Sequence, residues 1–195
     1  MGSIEQIDLF PEGGCDTHHH IFESHKFPSS PTRHLTPPKA TIEEYEAFKR
    51  SLGITNSVLT HGPLYGHDCS SLTVFVKQLG SASTRGCAVI NEEASDAEIE
   101  SLHNSGVRGI RLDLYGYNAM EDAKKQIRVL ELYASRVGPK GQLGSSWEDI
   151  PSLALQVVVD HHALLKAQSM LPVGVDVLSQ PGLLDIVALL KSENF

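Results

Sequence analysis

Short apolar runs with β-branched residues alternate along the chain with longer stretches whose apolar positions recur at helical spacing. The first run, Cys15 to Phe22, reads as a strand and carries three histidines. Glu23 to Lys39, rich in Pro, Ser and His, reads as a long irregular loop, of a length often tied to function. Thr41-Ile42-Glu43-Glu44 has the form of a capping box and predicts a helix to about Leu52, stopped by Gly53. Ser57 to Thr60 is a strand, His61 to Asp68 a loop, and a helix follows to about Leu79. Cys87 to Ile90 is the next strand. Ser95 to Glu98 forms a second capping box, for a helix ending near Ser105-Gly106.

Gly109 to Leu114 predicts a further strand, and Asn118 to Glu121 the start of a long helix ending at Gly138. Beyond it come a short helix over Trp147–Leu155, a β-branched strand over Gln156–Asp160, and a final helix over Gly182–Lys191. Strand and helix alternate throughout, which predicts βα units on a parallel sheet. Chemistry in such folds sits at the carboxyl ends of the strands. His18 and His20, His61, Arg111 and Asp113, and Asp160 and His161 all fall late in a predicted strand or just after it.

In a regular strand, side chains two apart point the same way. His18 and His20 therefore share a face, with Asp16 beside them, and His19 faces the other side. Two imidazoles converging at a strand end make half of a metal or proton-transfer site. The plainer reading of three consecutive histidines is a solvated loop.

Composition narrows the classes. The chain has 195 residues, a net charge of -8 and 41% hydrophobic residues. That suits one globular domain with a sizeable core. We read residues 1–195 as a single domain, with residues 1–13 as an N-terminal extension. The acidic balance and the lack of a Lys/Arg run argue against nucleic acid and anionic membranes as partners. No apolar stretch approaches the roughly 18 residues of a membrane-spanning helix, and Met1 to Pro11 lacks a secretory pattern. Cys15, Cys69 and Cys87 are odd in number and far apart, which suits a reducing compartment. The expected location is cytoplasmic. No nucleotide-binding glycine motif is present.

Seven motifs carry a resemblance. They are Asp16-Thr17-His18-His19-His20-Ile21-Phe22, Phe27-Pro28, Thr36-Pro37-Pro38, Tyr65-Gly66-His67-Asp68, Arg85-Gly86, Gly106-Val107-Arg108-Gly109-Ile110-Arg111-Leu112 and Val158-Val159-Asp160-His161. In this order, the chain resembles the amidohydrolase-related family, in the branch similar to 2-pyrone-4,6-dicarboxylate hydrolases. The resemblance implies an α/β fold, a (β/α)8 TIM-barrel-type amidohydrolase barrel, and hydrolysis of a small carboxylated lactone or cyclic ester. It implies that His18 and His20, completed by His161, bind a metal or polarise the substrate carbonyl. Two cofactor readings stand: one divalent ion, Zn or Mn, on His18, His20 and His161, or a metal-free site.

By the same resemblance Arg111 meets a substrate carboxylate, for which a planar guanidinium is suited. Its structural alternative is an ion pair with Asp113. Tyr65 and His61 lie near the same rim as substrate-binding candidates, with ordinary packing as the alternative. The barrel is expected to be incomplete. A full one takes about 250 residues. Here the last strands are absent, with them the family aspartate that activates water, and Gly141 to Gly144 is too short for a good middle strand. Two further readings follow: a non-catalytic or truncated relative that binds without turnover, and a metal-dependent decarboxylase of the same superfamily. An open sheet edge would also favour self-association.

Overall fold

The computed structural model describes residues 10–120, 122–137, 172–180 and 183–191. They divide into two compact units, one ending at Asp113 and one beginning at Leu114.

The first unit is built on four parallel strands: β1 (Cys15–His19), β2 (Asn56–Thr60), β3 (Thr84–Ala88) and β4 (Val107–Ile110). Their order in the sheet is their order in the chain, β1-β2-β3-β4. Helices α1 (Ile42–Leu52), α2 (Ser70–Leu79) and α3 (Asp96–Asn104) make the three crossovers. This is the βα succession the sequence predicts, an α/β fold of the TIM-barrel type with four parallel strands among the described residues.

Local chemistry places the helix starts. Thr41 Oγ1 accepts the Glu44 N–H at 3.2 Å, and Glu44 Oε2 accepts the Thr41 N–H at 2.8 Å. Ser95 and Glu98 repeat the exchange at 3.3 and 2.7 Å. Gly53 ends α1 at φ 73°, a left-handed conformation that costs glycine little. Leu72, Phe75 and Val76 of α2 are fully buried, α2 packs on β2 and β3, and Leu59, Ala88 and Val107 of the strands are buried as well. α3 buries none of its residues.

Two strands are displaced from their predicted bounds. The apolar run Cys87–Ile90 predicts a strand that in fact starts earlier, at Thr84. Gly109–Leu114 likewise shifts back to Val107–Ile110. Parallel pairing sets these limits, since Ser57 pairs with Thr84 and Gly86 with Val107.

In the second unit, α4 (Ala123–Val137) and α5 (Leu183–Leu190) are the helices described. α4 starts later than the sequence suggests. Asp122 Oδ1 accepts the Lys125 N–H at 3.1 Å, so Asp122 caps it, while Asn118 sits in a turn at φ 51°. Ile127, Leu130, Tyr133 and Ala134 form its buried stripe. The predicted helix over Trp147–Leu155, the strand over Gln156–Asp160, the segment Gly141–Gly144 and most of the N-terminal extension lie outside the described residues.

Candidate active site

The carboxyl ends of the four strands form one edge, and of the predicted residues His20, His61 and Arg111 fall on it. His20 follows β1, His61 follows β2, Val89 follows β3 and Arg111 follows β4. Backbone bonds carry the sheet just past the strand ends. The His61 N–H donates to the Cys87 carbonyl at 2.8 Å and the Arg111 N–H to the Ala88 carbonyl at 2.7 Å.

His18 and His20 converge. Their Nε2 atoms are 3.1 Å apart and their rings meet edge to face, with centroids at 4.8 Å. His20 Nδ1 lies 2.8 Å from the Thr60 carbonyl oxygen. A carbonyl only accepts, so Nδ1 carries a proton, and in the neutral form of the ring Nε2 holds the lone pair that faces His18. Phe22 stacks on His20 at 5.4 Å. The 3.1 Å gap suits an N–H···N bond. It also suits two ligands of one ion, since metal–nitrogen bonds of about 2.0–2.1 Å at near-tetrahedral angles put the nitrogens roughly 3 Å apart. Among the described residues no group of three or more His, Cys, Asp or Glu is arranged to hold a metal. His161, the sequence-predicted third member, lies outside the described residues, as do Asp160 and His162.

Asp16 departs from simple alternation. Its Oδ2 accepts the Tyr45 O–H at 3.0 Å and is 3.7 Å from His19 Nδ1. The carboxylate thus keeps company with His19, not with the His18–His20 pair. The cause is a break in register on β1 between Asp16 and His19. His19 is buried, stacks flat on Tyr45 at 3.7 Å, and finds no hydrogen-bond partner for either ring nitrogen among the described residues. Burial pushes its pKa down to about 4, outweighing the attraction of Asp16, so it is neutral at pH 7.

His61 is only 3% exposed. The Val89 N–H donates to its Nδ1 at 3.4 Å, which places the ring proton on Nε2. That N–H is buried with no hydrogen-bond partner among the described residues. Burial lowers the His61 pKa to about 4, so it too is a neutral donor. Cys69 lies 3.8 Å from His61 Nδ1, but burial pushes its thiol up to about 12. Burial thus disfavours the thiolate, the nucleophilic form of this side chain.

Tyr65 ends a short 3-10 turn over Pro63–Tyr65 and is buried, stacked on His61 with centroids at 5.9 Å. Its oxygen accepts the Glu23 N–H at 2.9 Å, leaving its own proton to donate. Burial raises the Tyr65 pKa, so the hydroxyl stays protonated. Arg111 is half-buried at the end of β4. Glu23 is buried with its carboxylate 2.6 Å from Lys26 Nζ. Sequence reasoning passed over Glu23, Tyr45 and the Thr60 carbonyl. Tyr45 shares a helical stripe with Ile42, which signals burial against the sheet but not the bond its hydroxyl makes.

Parallel βα units with imidazoles and a guanidinium at the carboxyl ends of their strands are the arrangement of a barrel-type α/β protein. Comparison with known proteins makes the class specific. The amidohydrolase family model matches residues 15–116. The chain is 30% identical over 162 residues to a 2-pyrone-4,6-dicarbaxylate hydrolase of Comamonas testosteroni, covering 77% of this chain and 52% of that protein. It is 30% identical over 104 residues to a 4-sulfomuconolactone hydrolase of Hydrogenophaga intermedia, covering 53% and 34%. A solved Agrobacterium tumefaciens protein superposes with a TM-score of 0.61 at 20% identity, over 94% of this chain and 65% of that one. A probable 2-pyrone-4,6-dicarboxylic acid hydrolase of Acinetobacter baumannii, with citric acid bound, superposes at 0.51 and 23% identity, over 63% and 46%. The chain belongs to the amidohydrolase family. It spans about half the length, or less, of the curated relatives it matches.

Proposed function

We propose that this chain carries the strand-end site of a lactone hydrolase acting on a small carboxylated cyclic ester, of the 2-pyrone-4,6-dicarboxylate kind. The observation that carries the reading is the convergence of His18 and His20 at 3.1 Å, with His20 oriented by the Thr60 carbonyl. The two curated relatives, both named as lactone or pyrone hydrolases, support it.

In the reaction water adds to the ring carbonyl carbon, the ring C–O bond breaks, and a carboxylate and a hydroxyl result. Negative charge develops on the carbonyl oxygen, and donors fixed in advance around it lower the barrier. His18 is proposed to polarise that oxygen through its Nε2–H, and the His20 Nε2 lone pair to accept a proton from the attacking water. The buried His61 Nε2–H and the Tyr65 O–H are neutral donors suited to the same task or to a substrate carboxylate. Arg111 is proposed to hold a carboxylate through two parallel hydrogen bonds. If a divalent ion is resident, His18 and His20 are its ligands, with His161 as the proposed third. Such an ion polarises a carbonyl and lowers the pKa of bound water.

Self-association belongs to the same proposal, supported by the place of β1 at one edge of the described sheet. The test of the function is hydrolysis of 2-pyrone-4,6-dicarboxylate by the full chain, followed by loss of ring absorbance. Turnover should fall by roughly 10²-fold or more in His18→Ala and in Arg111→Ala. Equal rates in all three proteins would reject the proposal.

A further inference from the structure

The two halves of the histidine pair are anchored differently. His20 is tied to β2 through the Thr60 carbonyl. His18 has its anchor on β1 itself. Asp16 pairs with Ser57 and His19 with Leu59, so three steps along β1 oppose two along β2. One extra residue on β1 makes a bulge, and a bulge re-aims the side chains around it. The Asp16 carboxylate fits this bulge closely. Its Oδ1 accepts the His18 N–H at 3.1 Å, the local bond by which an aspartate satisfies an amide two residues on.

The other carboxylate oxygen is held from α1. Tyr45 is buried, donates its O–H to Asp16 Oδ2 at 3.0 Å, and lies flat on His19 at 3.7 Å. Helix α1 therefore grips the bulge at two points, by a hydrogen bond and by a ring face. The chain of contacts runs from Tyr45 to the Asp16 carboxylate, to the His18 amide, and so to the ring that meets His20.

We infer that Asp16 and Tyr45 are positioning residues that hold the β1 bulge and thereby set the His18 ring against His20. The inference rests on the reading of His18 and His20 as the working pair, but not on the identity of the substrate. Neither residue touches substrate in this scheme; both act through the backbone of His18.

The test is imidazole nitrogen NMR of the full chain with its metal content as purified, which separates His18 Nε2 from His20 Nδ1–H whether or not an ion is bound. Tyr45→Phe keeps the stacked ring and removes only the hydroxyl. Asp16→Asn keeps an oxygen for the His18 amide, and Asp16→Ala removes both bonds. The His18 Nε2 signal should move or broaden in Asp16→Ala and Tyr45→Phe and recover largely in Asp16→Asn. The His20 Nδ1–H bonded to Thr60 should stay unchanged throughout. With a working lactone assay, kcat should fall about 10- to 100-fold in Asp16→Ala, with KM within about twofold, since small misplacements carry costs of this order. An unmoved His18 signal in both Tyr45→Phe and Asp16→Ala would overturn the inference. So would equal loss of the His18 and His20 signals, which would mean general loosening. Wild type without turnover but with the expected NMR pattern would reject the proposed function and leave the positioning role standing.

Discussion

At the scale of single residues, this protein depends on close approach. Gly62 has ordinary backbone angles, so its value is not conformational. A Cβ there would collide with Phe22 Cε1 and meet Cζ at 3.0 Å. Phe22 in turn stacks on His20. Gly62→Ala is therefore expected to displace the Phe22 ring from its stacked place on His20. Overpacking of this kind typically costs about 1–3 kcal/mol. The thermal midpoint should drop accordingly, and the His20 ring resonances should shift with it. The clash lies with a ring edge, so Gly62→Ala combined with Phe22→Leu should recover most of the lost stability. No recovery in the double variant would place the cause elsewhere.

At the scale of elements, similar capping boxes serve helices in unequal settings. Thr41 starts α1, which buries Ile42 and Tyr45 and grips the β1 bulge. Ser95 starts α3, which buries nothing. Replacing an N-cap Thr or Ser by Ala costs about 1 kcal/mol of helix stability. For Thr41→Ala that loss should reach the whole unit and lower its melting temperature by a few degrees. For Ser95→Ala it should stay local, with faster amide exchange over residues 96–99 and a midpoint close to wild type. Equal falls in the two variants would mean that α3 is as tightly coupled to the sheet as α1. The same contrast explains what was legible beforehand. Both capping boxes were readable, because their chemistry is contained within four residues. The start of α4 was misplaced because Asp122, not the Asn118 region, met the amide three residues on.

At the scale of the whole molecule, burial of two neutral histidines ties stability to pH. His19 and His61 each have a pKa near 4 in the fold against 6.5 for a free imidazole. Between those values the unfolded chain binds more protons, so stability rises with pH. Their contribution is fully present above about pH 6.5 and is lost as pH falls toward 4. For one such group the loss is on the order of 2 kcal/mol at pH 5. Thermal melts should show the midpoint falling between pH 7 and pH 5, and His61→Gln should remove about half of that dependence. A midpoint independent of pH across this window would contradict the burial of both rings as neutral groups.

Much of this was decided within the chain itself. Alternation of strand and helix patterns sufficed for the parallel βα order, because period and caps are properties of contiguous residues. The same local order put His20, His61 and Arg111 at strand ends, since a residue that follows an apolar run in a βα unit lands on the carboxyl edge. Membership of the amidohydrolase family was readable for a related reason, from ordered motifs. Tertiary structure alone decided the rest. Strand limits at Thr84 and Val107 came from pairing with neighbours distant in sequence. The side taken by Asp16 came from a bulge, and a bulge is a mismatch between two strands that one strand cannot reveal. The proton positions on His20 and His61 came from the Thr60 carbonyl and the Val89 amide. Those partners lie 40 and 28 residues away, and no local pattern encodes them.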